Sequence, residues 1–303
     1  MNNSAGLEHL FDFIDTNERY LNELVELIPK NQVVPFVGAG LSVPIYPTWN
    51  KFFSDVLSMD TLRPKSKIEI EELLLDKKYE KAASVLGKSL GCAVYTGIIK
   101  DIFSEITMTN KNDELDNMPI SILPHIFKNN KVITTNFDRL LSKVFEREGH
   151  PFKDYLTYYT DSSTAQGDFQ QGLENYLLKL HGDYAHTDKI VFTEEQYNEC
   201  YGENLDSSYV SFLADVLSSK VLLFLGCSMD VDRTTHLLEK IALCKTRTHY
   251  ALLEATSVGV CDKFDDIFYD KAQRLSNMGI KCIWYPKGKH EFVYSALDEI
   301  KKN

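Results

Sequence analysis

The sequence predicts a doubly wound, mostly parallel α/β sheet of Rossmann-like type, with a helical subdomain inserted after its first strand. Three observations lead to that expectation. Short apolar runs recur along the chain without the alternation of a half-exposed strand, as a sheet covered on both faces requires. Stretches with apolar residues at helical spacing separate several of these runs. Many of the runs end in small or polar residues, where open α/β sheets present their ligand crevice. Of the 303 residues, 44% are apolar and 25% charged, with 15 Gly and 9 Pro; disordered and collagen-like chains are excluded.

In chain order, Leu7, Leu10, Phe11, Ile14, Leu21, Leu24, Val25 and Ile28 fall at helical spacings until Pro29 stops them. QVVPFVGAGLS then reads as a buried strand running into a glycine turn. Helical spacing resumes in TWNKFFSDVL, with Thr48 as the expected N-cap. Residues 60–128 are richer in Lys and Glu, carry helical stretches such as IEIEELLLDKKYEKAASVLGKSL, and offer no clear strand. Strand patterning returns in KVITTNFD, LTYYT, YLLKLHG, KIVFT, KVLLFLGCS, HYALLEA and IKCIWYP. The polar segment DSSTAQGDFQQG reads as a surface connection.

A net charge of −11 argues against general affinity for nucleic acid or anionic membrane. An anionic ligand would have to be held by backbone N–H groups and helix dipoles. The longest apolar run, Val221 to Leu225, is far short of the ~18 residues that cross a bilayer. The first residues, MNNSAGLEHLFDFIDTNERY, lack the basic, apolar and small-residue pattern of a secretory leader, so a cytoplasmic protein is expected. Cys92, Cys200, Cys227, Cys244, Cys261 and Cys282 form no CxxC pair or Cys/His cluster, so reduced thiols and no metal site are expected.

Four strand ends carry candidate chemistry. Gly38-Ala39-Gly40-Leu41-Ser42 would let backbone amides approach a pyrophosphate; lacking a third glycine, it reads equally as a structural turn. In Thr134-Thr135-Asn136-Phe137-Asp138, Asn136 can fix a ribose hydroxyl, an amide or a water, while Asp138 reads first as a helix cap. His181, before Gly182, can take a proton near neutral pH, although a lone histidine is more often structural. Gly226-Cys227-Ser228 is a further small-residue strand end, with no argument for Cys227 as a nucleophile.

In this order, GAGLS, TTNFD, LHG and LGCS, each after an apolar strand, resemble the Sir2 family of NAD-dependent enzymes. More narrowly they look like the Sir2-like domains of bacterial antiphage systems. The resemblance runs from about Val33 to Ser228 and more diffusely to the IKCIWYP strand. It implies a Sir2-type fold, with residues 1–303 as one domain and residues 60–128 as a helical insertion. It also implies NAD+ as substrate, with Gly38, Ala39, Gly40 and Ser42 around its phosphates and ribose. Thr135 occupies the middle of the family's Thr-Gln-Asn motif, Asn136 and Asp138 the nicotinamide-side ribose region, and His181 the place of the base. Gly226 and Ser228 would meet the adenosine side, and Glu254 the adenine ribose.

The chain departs from the protein deacylases of that family. VPIYPTW follows GAGLS without a Phe-Arg pair, Thr135 replaces the motif's Gln, and the four zinc cysteines are missing. The resemblance therefore implies hydrolysis of NAD+ to nicotinamide and ADP-ribose, in abortive infection by NAD depletion. Such an activity implies control by a partner protein, a nucleotide signal or oligomerisation. A non-catalytic NAD or ADP-ribose binding module is the alternative, and a deacylase is a more distant one.

Overall fold

The computed structural model describes residues 3–105, 112–128, 131–157, 175–230, 233–242, 247–256 and 264–303. Seven strands form one parallel sheet: β1 (Val33–Val37), β2 (Val132–Thr134), β3 (Asp154–Thr157), β4 (Tyr176–Lys179), β5 (Val221–Leu225), β6 (His249–Glu254) and β7 (Ile280–Tyr285). Their order is β3-β4-β2-β1-β5-β6-β7. The chain leaves β1 toward β2 on one side and returns to β5 on the other. That reversal beside the central strand is the switch point at which doubly wound sheets open a ligand crevice.

Alternate residues of β1 and β5 enter two different apolar cores, which explains the uninterrupted runs in the sequence. Val33, Val37, Leu223 and Leu225 join the core that includes Phe52, Phe53 and Leu297. Val34, Phe36, Leu222 and Phe224 join the opposite one, with Tyr209 and Leu213. Pro35 is tolerated in this central strand because β2 pairs with it only from Phe36 onward, leaving β5 as its single neighbour at that level.

The opening helical pattern divides into α1 (Asn3–Phe13) and α2 (Thr16–Leu27). After β1, α3 (Trp49–Leu57) begins at the expected residue, but the Thr48 side chain makes no capping hydrogen bond. In the inserted segment the described residues are helical, with α4 (Pro64–Leu75), α5 (Tyr79–Leu90) and α6 (Cys92–Phe103). The long helical stretch seen in sequence breaks at Asp76–Lys78, where Lys77 takes φ 56°.

KIVFT, expected as a strand, is not one. Both neighbours of β4 are already taken by β2 and β3, so residues 190–193 find other partners. The Val191 N–H donates to the His181 carbonyl, and those of Phe192 and Thr193 donate to Gln196 Oε1. The segment ends in the capping box that starts the helix Glu194–Tyr201. Of LTYYT, only the first two residues belong to the described β3. The last three, DSSTAQGDFQQG, Cys244 and Cys261 lie outside the described residues.

Candidate functional site

A cleft of about 2810 Å³ opens over the carboxyl ends of the strands. It exceeds the ~300–1,000 Å³ usual for a small-molecule pocket. All eleven candidates line it: Gly38, Ala39, Gly40, Ser42, Thr135, Asn136, Asp138, His181, Gly226, Ser228 and Glu254.

The glycines of the first and fourth motifs interlock. Gly38 N–H donates to the Leu225 carbonyl and Gly40 N–H to that of Gly226, each at 2.9 Å. A Cβ on Gly38 would lie 2.6 Å from the Gly226 oxygen, and one on Gly226, at φ 66°, 2.4 Å from Leu41 N. Only glycine permits two strand-end turns to approach this closely. These N–H groups are thus engaged by the β5 turn, a structural duty beside any role toward phosphate.

Ser42 carries the turn to the second motif. Its hydroxyl donates to Asp138 Oδ2 at 3.1 Å and accepts from Asn136 Nδ2 at 3.1 Å; the same amide also donates to the Gly38 carbonyl at 3.2 Å. A carbonyl can only accept, so this contact fixes which end of the amide is nitrogen. Asn136 Oδ1 is left buried with no hydrogen-bond partner. An orphaned acceptor of this kind suits a ligand hydroxyl or a water. Asp138 Oδ1 accepts the Leu140 N–H at 2.9 Å, from one residue ahead of the Arg139 N-cap of the helix Leu140–Arg147. Thr135 N–H reaches the Val37 carbonyl at 3.4 Å.

The second and third motifs are joined by a lysine that sequence reading passed over. Lys179 ends β4 fully buried, donating to the carbonyls of Phe137 (3.0 Å) and Asp138 (2.6 Å) and to Asp183 Oδ2 (2.9 Å). One ammonium thereby ties the loop after Asn136 to the loop after His181. Burial holds Lys179 below and Asp138 above its ordinary pKa. Burial also works upward on Asp183, but Lys179, Arg139 and the Ala185 N–H outweigh it and hold that carboxylate low. The only sequence signal was a lone Lys inside YLLKL, which signals a buried charge only if both faces of the strand are covered.

His181 is buried between two hydroxyls, with Nε2 2.8 Å from Tyr201 Oη and Nδ1 3.3 Å from Tyr197 Oη. Burial pushes its pKa down to about 3, so the ring is neutral near pH 7. Both tyrosines, like Phe192, lie beyond the motifs and were missed. Phe192 stacks on Trp49 at 4.5 Å and meets Phe137 edge-on at 5.4 Å, adding an aromatic wall to the cleft. Its sequence signal was misread as strand.

At the far end, Ser228 Oγ accepts from Asp230 N–H at 3.4 Å and Glu254 Oε1 accepts from Gly288 N–H at 2.6 Å. Lys77 from the inserted segment and Lys271 both pair with Asp230 at 3.0 Å. Among the described residues no group of three or more His, Cys, Asp or Glu is placed to hold a metal, and none of the helices is long and apolar enough to cross a membrane.

A parallel sheet with glycine turns, a carboxamide and an imidazole around one strand-end cleft defines a doubly wound α/β protein of Rossmann-like, Sir2 type. The model of the SIR2-like domain matches residues 130–283, and the chain belongs to that family. The match begins after the glycine turn, so geometry ties Gly38–Ser42 to the rest of the site.

The chain is similar to the NAD(+) hydrolase ThsA of Bacillus cereus (strain MSX-D12), at 24% identity over 245 residues, 78% of this chain and 46% of that protein. A second relative, the NAD(+) hydrolase ThsA of Acinetobacter baumannii (strain 532279), is 23% identical over 257 residues, 82% of this chain and 48% of that protein. The chain thus spans about half the length of these curated relatives.

Proposed function

We propose that the chain hydrolyses NAD+ at the nicotinamide–ribose N-glycosidic bond, giving nicotinamide and ADP-ribose. The observation that carries this reading is the buried, unpartnered Asn136 Oδ1 in the same cleft as a neutral His181. The names of the two hydrolase relatives support it.

Nicotinamide bound to ribose is already cationic and leaves without a protein acid. The protein's work is to orient the sugar, favour the developing oxocarbenium ion and deliver water. In this reading Asn136 Oδ1 accepts from a ribose hydroxyl or the attacking water, while the amide's own donors stay engaged by Ser42 and Gly38. His181 takes up the released proton. In the resting cleft an imidazolium is disfavoured by burial; the negative charge of the diphosphate and of the forming oxyanion supplies the missing counter-charge.

The Gly38–Ser42 turn, Gly226 and Ser228 lie along the phosphates and adenosine, with Glu254 toward the adenine ribose. The whole chain acts as one Sir2-like unit, and residues 60–128 contribute Lys77 and Phe103 to the cleft wall. In the cell we assign it to antiphage defence by NAD depletion. A partner protein, an oligomer contact or a nucleotide signal holds it in check.

The test is incubation of purified chain with NAD+, alone and with the products of neighbouring genes, and identification of products by mass spectrometry. Free nicotinamide with ADP-ribose is expected. NAD+ that raises the melting temperature but yields no nicotinamide under any of these conditions overturns hydrolysis in favour of a binding module.

A further inference from the structure

His181 has two hydroxyl partners, and only one of them borders the cleft. Tyr197 and Tyr201 stand four residues apart on the helix Glu194–Tyr201, hence on one face of it. Their rings stack at 5.8 Å, and both meet the imidazole edge-on. The Thr193–Gln196 capping box anchors the start of this helix. Tyr201 is fully buried and does not line the cleft, whereas Tyr197 lines it together with His181.

A neutral imidazole carries one N–H and one lone pair. A proton relay from the cleft through Tyr197 requires the lone pair on Nδ1, with Nε2–H donating to Tyr201 Oη. We infer that Tyr197 is a further catalytic residue, relaying a proton from the attacking water in the cleft to His181 Nδ1. This deepens the NAD+-hydrolase reading and rests on it.

The step balances. The attacking water gives one proton to Tyr197 Oη as the tyrosine's own proton passes to Nδ1. The electron pair stays on the reacting oxygen, which bonds to the anomeric carbon, and nicotinamide departs with the pair of the broken C–N bond. Tyrosine ends neutral and histidine as imidazolium, its Nε2–H still held by Tyr201. The low proton affinity of the resting ring keeps Nδ1 free to accept near neutral pH.

The experiment compares wild type, Tyr197→Phe, His181→Ala and the double variant for nicotinamide release, melting temperature and pH profile. It adds the ¹⁵N resonances of His181. Tyr197→Phe keeps the ring and its packing, so a fall in kcat of about 10²-fold is expected, with KM and melting temperature little changed. The double variant should be no slower than His181→Ala, because the two residues act in one chain. The resonances should report a protonated Nε2 and a bare Nδ1, shifted in Tyr197→Phe.

An active wild type whose Tyr197→Phe variant keeps wild-type kcat, or whose losses multiply in the double variant, overturns the relay and leaves the hydrolase reading intact. A protonated Nδ1 overturns the relay whether or not NAD+ is consumed. A wild type that releases no nicotinamide, alone or with the products of neighbouring genes, overturns both.

Discussion

His181 and His249 sit at opposite edges of one sheet. Both are buried and both are held well below the usual histidine pKa, His181 at about 3 and His249 at about 4, by burial first and in His249 also by Arg247. His249 opens β6, and its Nδ1 accepts the Leu222 N–H at 3.1 Å. It completes the backbone pairing of the amino edge. His181 follows β4 at the carboxyl edge, where both nitrogens meet hydroxyls and the ring faces a cleft. Burial and pKa alone do not separate a structural histidine from a reactive one. On the proposed function the edge of the parallel sheet does, because the carboxyl edge is where side chains converge on open space.

The largest difference between the edges should appear in turnover. His181→Ala and Asn136→Ala should each cut nicotinamide release by about 10²- to 10⁴-fold, the usual contribution of a positioned base or comparable polar group. His249→Ala should leave release unchanged and cost about 1–3 kcal/mol of stability, because the buried Leu222 N–H loses its acceptor. Equal activity losses at the two histidines, measured by steady-state kinetics beside denaturant melts, would break the contrast.

The carboxyl edge should also be the more vulnerable to loss of a charge. Lys179→Met leaves Asp183 and Asp138 buried without their ammonium partner, and about 3–5 kcal/mol of unfolding free energy should be lost. Exchange at the exposed Lys77–Asp230 pair should change it by less than about 1 kcal/mol.

Acidification sharpens the comparison further. Below pH 6.5 the unfolded chain protonates both histidines while the folded chain resists, so their contribution to stability is lost as pH falls toward 4 and then 3. Over about two pH units below 6.5 each should cost on the order of 2 kcal/mol, seen as a falling melting temperature. Asp138, held above its ordinary value, opposes this trend toward the acid end. A melting temperature that stays level or rises over that window would contradict the burial of both rings. A structural cost comparable to that of His249→Ala is expected at Gly226→Ala, where φ 66° and the approach to Leu41 N should take about 1–3 kcal/mol in a denaturant melt.

The strand ends were legible because a fully buried strand must be apolar, so the first polar residues after it mark where the chain emerges. Asn136, Asp138 and His181 were found in that way. Phe192 and Tyr197 were not, since an apolar KIVFT run is equally a strand or a buried connection, and a Tyr in EEQYNECY reads as an ordinary amphipathic helix. Lys179 was hidden for the opposite reason: its charge is met by the carbonyls of Phe137 and Asp138, 42 and 41 residues away, and by Asp183 across a turn.

By itself the sequence determined the parallel α/β architecture and where its strands emerge, because burial on both faces and helical periodicity are written locally in residue type. Only the tertiary structure decided which acceptor of Asn136 is left over, which hydroxyls address His181, and that a buried lysine joins their two loops. Hydrogen-bond partners lie across the sheet rather than along the chain, and the balance between desolvation and pairing exists only once those strands are side by side.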